Sequence, residues 1–327
     1  MADGPLSVGP SIWHPAVFGG GPITPPGIPT DAMHFSIDTA LGDGVESFRL
    51  PLPTGYAYNF TVDWGDGKQD SITSATDPLI THAYISPGQY DIYLWGVCEG
   101  WSFFNTGDKD KLTRIRKYGN VGLGNLAGAF YGCGNLTTPL PIDGAVLSQN
   151  TTLENAFREC NSPGFSGVNI SSMDTPSVVS TAAMFKDCTQ MQSFSAVGIN
   201  MMGVTSIDDM FDGCTALTSL DVSDFDVRSV TSAIGFATGV AMGTANLDAA
   251  YTKWAQLPVQ DNVTIDMGVS QYTPGGAAEA GRNYLINVHN WTILDGGPIT
   301  TPPFLLLTVG NDGESGPFLL LTVGNDA

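Results

Sequence analysis

Five cysteines and four histidines are the side chains of this 327-residue chain best suited to nucleophilic, redox or metal chemistry. His14, His34, His82 and His289 fall in unrelated segments, and no HExxH, phosphate loop or nucleophile elbow places one beside a partner. The cysteines form no CxxC pair and join no Cys/His cluster, which are the spacings that zinc or a redox couple needs. Carboxylates remain. Asp208 or Asp209 with Asp221 has the two-acid makeup of a glycoside hydrolase, but acids on a solvated face are the commoner origin of such a pair. "VDWGDGKQD" at 62–70 superficially suggests a calcium loop, yet its glycine and acid positions miss the EF-hand pattern. The expectation is therefore no catalytic residue, no metal ligand and no cofactor.

The cysteines carry a different message in their surroundings. Phe130-x-x-Cys133, Phe157-x-x-Cys160, Phe185-x-x-Cys188 and Phe211-x-x-Cys214 share one spacing, and Phe236 continues the series without a cysteine. A reactive motif rarely needs a copy, whereas a packing unit does. The phenylalanines are 27, 28, 26 and 25 residues apart, inside the period of roughly 20–29 residues expected of a leucine-rich solenoid. Phe and Cys three apart share one side of a helical or 3₁₀ turn. Beyond them Leu220 and Val222 alternate with Ser219, Asp221 and Ser223, the period-two pattern of a strand with one buried face. No single coil can enclose its own Phe and Leu, so neighbours must stack. The expected repeat core is Phe130, Cys133, Phe157, Cys160, Phe185, Cys188, Phe211, Cys214, Leu220 and Phe236. Free buried thiols are the reading for the cysteines, with a metal or redox role as the alternative; Cys98 lies outside the array in the strand-like "IYLWGVC".

Composition narrows the class. A formal charge of −20 with 13% charged residues argues against nucleic acid and anionic membranes as partners. Forty glycines and twenty-one prolines fit a turn-rich β protein. The first twenty residues show no basic segment followed by an apolar run, and no later segment reaches about 18 continuous apolar residues, so neither a secretory leader nor membrane insertion is expected. Assembly into a virus particle released by lysis is one route outward; a chain already trimmed of its leader is the other.

Ahead of the array, residues 34–50 and 56–63 alternate as strands, and "HAYISPGQYDIYLWGV" reads as a turn and a further strand. Asp63, Trp64, Gly65, Asp66 and Gly67, followed by His82, Tyr84, Pro87, Gly88 and Tyr90, resemble the signature of polycystic-kidney-disease-type (PKD) immunoglobulin-like domains. That resemblance implies a β-sandwich serving as spacer or binding module. "MFDGCTALTSLDVSDFDVRSVTS" is similar to BspA-type leucine-rich repeats of bacterial and phage surface proteins, which implies adhesion or recognition. "LDAAYTKWAQLPVQ" and "AAEAGRNYLINVHNWTILDGG" resemble the closing segment of such arrays, with Trp254, Leu285 and Trp291 packed on the last coil.

The ends repeat themselves: "GGPITPP" at 20–26 nearly recurs at 296–303, and "PFLLLTVGND" occurs at 303–312 and again at 317–326. "FLLLTV" is charge-free and β-prone, a hazard if left uncovered. Either the two copies are covered by partner subunits, or they form a hairpin within the chain. In the first case Trp13, Phe18, Phe304, Leu305, Leu306, Leu307, Phe318, Leu319, Leu320 and Leu321 are the assembly anchors.

The expected fold is mainly β: an N-terminal anchor and Pro-rich linker (1–32), an immunoglobulin-like β-sandwich (33–110), a leucine-rich-repeat solenoid (111–245), a C-terminal cap (246–297) and a β-prone duplicated tail (298–327). The expected role is a non-enzymatic phage virion protein, a fibre or head- or tail-displayed adhesin that recognises a host-surface glycan or protein. It is held by other virion subunits and homo-oligomeric. A capsid or tail decoration protein with a mechanical role is the alternative, and a bacterial cell-surface adhesin a lesser one.

Overall fold

The computed structural model describes residues 27–137, 152–169, 177–195 and 201–300, together with the backbone of 305–310 and 318–323. The chain divides into Met1–Thr30 and Asp31–Ala327, and every described strand and helix belongs to the second unit. The fold is mainly β, with several separate sheets.

Strands β1 (Met33–Asp38), β2 (Ser47–Arg49), β3 (Tyr58–Asp63), β4 (Gln69–Ile72), β5 (Thr81–Ala83), β6 (Gln89–Cys98) and β7 (Leu112–Lys117) build the first part. Five of them form one sheet in the order β4-β3-β6-β1-β7, all neighbours antiparallel, while β2 and β5 pair separately. Phe48 of β2 meets Phe35 of β1 with ring centroids 6.0 Å apart, so the small sheet lies over the large one. The expected strand at 34–50 is broken in two. Gly42 and Gly44, at φ 72° and 71°, turn the chain between β1 and β2 in a backbone region that side-chain-bearing residues avoid.

After β7 the chain runs in stacked turns. Thr152, Ser180, Ser206 and Ser232 form successive parallel bridges, and β8 (Gly167–Asn169), β9 (Ser193–Ser195) and β10 (Ser219–Asp221) form a parallel sheet with Val168, Phe194 and Leu220 facing inward. Each Phe-x-x-Cys is closed by an N–H donated from the cysteine to the phenylalanine carbonyl, as in Cys188 to Phe185 at 3.1 Å. The residue two beyond each Phe is left-handed: Gly132, Glu159, Asp187 and Gly213 have φ between 57° and 79°. The expected helical or 3₁₀ turn is thus a turn with a left-handed third residue, the geometry that favours Gly and Asp there. A second left-handed column lies two before the Phe, at Gly128, Asn155, Ala183 and Asp209. This double reversal aims alternate N–H groups along the stack: Asn155, Phe157 and Glu159 donate to the carbonyls of Ala182, Met184 and Lys186 one coil on.

Two sequence expectations shift. Phe236 is buried but sits in the Met210 column, because Ser232 aligns with Ser206 and the Phe211 N–H donates to the Phe236 carbonyl; Ala237 and Val240 take the Phe and Cys places. The rings agree, since Phe157, Phe185 and Phe211 stack at 10° and 9° whereas Phe236 meets Phe211 at 87°. The boundary at 110/111 also cuts through structure. Phe103 donates to Ala129 and Asn105 to Tyr131 as Phe130 does to Ala156, and Thr106 closes on Phe103 as Cys133 closes on Phe130, so residues 101–107 are the first turn of the stack. β7 is shared as well: it pairs with β1, and its Arg114 bridges Thr137. One continuous buried core consequently runs from Met33 to Ile293.

Two helices and two short strands end the stack: α1 (Thr244–Trp254), β11 (Thr264–Asp266), α2 (Ala277–His289) and β12 (Thr292–Leu294). α1 buries Leu247, Ala250, Tyr251 and Trp254, one stripe at helical spacing. α2 crosses it at Gly281, where a Cβ would stand 2.4 Å from the Tyr251 carbonyl oxygen. Leu285 and Trp291 are buried beside them. In the tail, β13 (Leu305–Gly310) and β14 (Phe318–Val323) pair antiparallel, Leu305 opposite Val323 and Gly310 opposite Phe318, so the backbone takes the hairpin arrangement. Trp13, Phe18 and Phe304 lie outside the described residues, as do the side chains of Leu305, Leu306, Leu307, Phe318, Leu319, Leu320 and Leu321. Among the described residues no helix is long and apolar enough to cross a membrane.

Candidate functional site

The thiols are locked into the stack. Cys160, Cys188 and Cys214 donate to the carbonyls of Phe130, Phe157 and Phe185 in the preceding coil, at 3.3, 3.1 and 3.1 Å. All five cysteines are buried and free. Burial pushes Cys98 and Cys214 up to about 12 and holds Cys133, Cys160 and Cys188 well above the ordinary thiol range. A protonated, carbonyl-bonded thiol is a poor nucleophile and a poor metal ligand.

The carboxylates are equally committed. Asp208 accepts from Ser206 Oγ, from Ser232 Oγ and from the Ile234 N–H at 2.7 Å, which stitches two coils together. Asp209 is held by Lys186 at 3.1 Å, and Asp221 accepts the Ser223 N–H. Around Trp64, Asp63 and Asp66 accept the N–H groups of Gly65 and Lys68, and Trp64 donates its indole N–H to Asp70 at 2.8 Å. His82 stacks on Trp64 at 4.8 Å with its Nε2 3.0 Å from Asp66, and Tyr84 donates to the Trp64 carbonyl. Tyr90 stacks on Tyr84 at 3.9 Å, and Gly88, in the turn after Pro87, receives Thr39 Oγ1 as acceptor for its N–H. Gly65 is left-handed at φ 79° and approaches Asp91, where a Cβ would stand 2.4 Å from the carbonyl oxygen; Gly67 completes the turn at φ 89°. Trp64, Asp66, His82, Tyr84 and Tyr90 therefore form one structural cluster, while Gly88 is tied to Thr39. Among the described residues no group of three or more His, Cys, Asp or Glu side chains could hold a metal ion.

An exposed aromatic in a left-handed backbone lies at the first turn of the stack. Phe104 is 60% exposed and left-handed at φ 43°, and Asn105 follows at φ 60°. A left-handed L-residue costs roughly 1–2 kcal/mol, and an exposed phenyl forgoes the stabilisation that burial would bring. The ring lies against the Cα of Gly128, where a Cβ would meet Phe104 Cδ2 at 2.5 Å. Tyr131 meets Phe104 edge-on at 5.8 Å, and Arg158 sits over the Tyr131 ring at 5.1 Å. Glu159 accepts from Tyr131 Oη at 3.2 Å and from Asn105 Nδ2 at 3.3 Å. On the other side of the same turn a cleft of about 180 Å³ is lined by Arg49, Pro51, Pro53, Ser102 and Thr106.

Just after this turn a buried ion cluster ties the chain to the β1–β2 segment. Lys111 is fully buried, and its ammonium touches Asp43 at 2.7 Å, Asp108 at 3.0 Å and the carbonyls of Val45 and Ser47. Burial opposes its charge, but the two carboxylates raise its pKa overall. The Phe104 ridge escaped the sequence reading, although "SFFNTG" places Phe103 27 residues before Phe130, one full period. A larger cleft of about 440 Å³ between α1 and α2 is lined by Ala249, Thr252, Lys253, Thr273 and Ala277, and carries none of these convergent groups.

No curated protein and no solved structure matches the chain. Residues 124–254, from the first coils to the end of α1, match the family model described as Mycoplasma protein of unknown function, DUF285.

Proposed function

We propose that this chain is a non-enzymatic protein displayed on a phage particle, where it recognises the host surface. In this reading the five-stranded and two-stranded sheets are a PKD-like immunoglobulin sandwich, the stacked turns are a leucine-rich solenoid of BspA type, and α1 to β12 are its cap. The observation that carries the reading is the contrast in the side chains. The described cysteines and the carboxylates of Asp208, Asp209 and Asp221 are spent on internal contacts, as Cys188 on Phe157 and Asp208 on Ser232, while a strained aromatic, Phe104, is left in solvent. Strain retained at an exposed position is a mark of function. The terminal segments, the C-terminal one as the paired β13–β14 hairpin, attach the chain to other virion subunits and to further copies of itself.

The continuous core from Met33 to Ile293 favours a second reading, a rigid decoration protein with a mechanical role. Competition separates the two. Purified full chain added in excess to host cells should slow particle adsorption; unchanged adsorption at saturating chain would set recognition aside and leave the mechanical role.

A further inference from the structure

We infer that the ridge formed by Phe104, Asn105, Tyr131 and Glu159 binds a neutral saccharide, an inference that rests on the recognition reading and gives it a ligand. The ridge presents an apolar ring beside fixed polar groups drawn from three successive coils, those of Phe103, Phe130 and Phe157. Phe104 is 60% exposed, and its packing on Gly128 and Tyr131 fixes the ring's orientation before any ligand arrives. A sugar ring has an apolar C–H face that stacks on such a ring, and hydroxyls at its rim that need acceptors and donors.

Both are in place. Glu159 is held by Tyr131 and Asn105, and a carboxylate oxygen has room for a further hydroxyl donor. Asn105 Oδ1 is packed against Gly132, and its Nδ2 gives one hydrogen to Glu159 and keeps the second as a donor for a sugar hydroxyl. Rigid placement lowers the ordering cost of binding. Charge decides the class of saccharide: the chain carries −20, and Arg158 beside the ridge is already matched to Glu159 and Asp187. A polyanionic glycan would meet the Glu159 carboxylate in a repulsive overall field, and the cation beside the ridge, Arg158, is already paired, whereas a neutral glycan meets no such opposition. The apolar surface on offer is one ring and the edge of another, which suits a sugar face better than the broad patch of a protein interface.

The test uses the full chain in native gels containing a neutral polysaccharide (dextran, mannan, galactan or glycogen) or the polyanion polygalacturonate. At least one neutral polymer should retard the wild-type chain, and polygalacturonate should not. Phe104→Gly relieves the left-handed backbone, so it should fold with an equal or higher Tm, yet weaken retardation about tenfold or more. Phe104→Trp should restore it. Retardation by none of the neutral polymers, or equal retardation of Phe104→Gly, would overturn the inference. Cell binding tells this failure from that of the parent reading. Wild-type chain that binds host cells equally before and after periodate oxidation of their glycans would keep recognition and reject the saccharide; chain that binds neither cells nor polymers would reject both.

Discussion

The thiol of Cys188 donates to the main-chain carbonyl of Phe157, 31 residues earlier and one coil below, at 3.1 Å. The same carbonyl accepts the Cys160 N–H that closes its own turn. One oxygen thus joins the turn within a coil to the register between coils, and the relation recurs at Cys160 and Cys214. Cysteine suits the position because it is small, apolar and still able to donate.

Replacing that thiol should weaken the stack without touching the surface. Cys188→Ala or Cys188→Ser is expected to lower stability by about 1–2 kcal/mol, measured by urea unfolding, with cell binding unchanged. In the native chain, a thiol reagent at pH 8 should label none of the five cysteines before unfolding.

Ala183 bears a left-handed backbone, φ 53°, in a column where Gly128 and Gly235 also stand. Ala183→Gly should therefore raise stability by about 1 kcal/mol, the strain relieved exceeding the added chain entropy. Gly213→Ala should do the opposite, since its Cβ would lie 2.4 Å from Asp187 Oδ1. Thermal unfolding of the two variants checks the pair.

Asp91 supplies a pH dependence. Burial alone would raise its pKa, but the His34 Nε2 3.3 Å away, the hydrogen bond from Ser36 and the charge of Arg116 hold it at about 2, against an ordinary 3.8. Its ionised form then stabilises the folded chain above about pH 4, and this contribution is lost as the pH falls from 3.8 toward 2. Asp91→Asn should flatten the stability curve in that window and leave its shape near pH 7 unchanged.

The shared strand and shared core make the sheets and the stack one cooperative body. The full chain should unfold in a single transition, whereas a fragment of residues 111–297 loses Phe103 and the β1 partner of β7 and should show no cooperative unfolding by circular dichroism. A well-folded fragment would show the junction to be dispensable.

Much of this was legible because burial leaves a period. Phe130, Phe157, Phe185 and Phe211 repeat since each fills the same hole, and Leu220 alternates with polar neighbours since one face of β10 is covered. Phe236 misled because size alone cannot tell the Phe column from the Met column; Ser180, Ser206 and Ser232, each 26 apart, carry the truer register. Phe103 was hidden by a threonine in the cysteine place. The Phe104 ridge depends on backbone handedness and on contacts between coils, which leave little trace in residue type.

The proposal that the chain is displayed on a phage particle is tested most directly by electron microscopy of intact particles with gold-labelled Fab raised against the folded protein. The account predicts regular labelling on the particle exterior and adsorption blocked by the same Fab. Unlabelled particles in preparations that contain the chain only as free protein would contradict it.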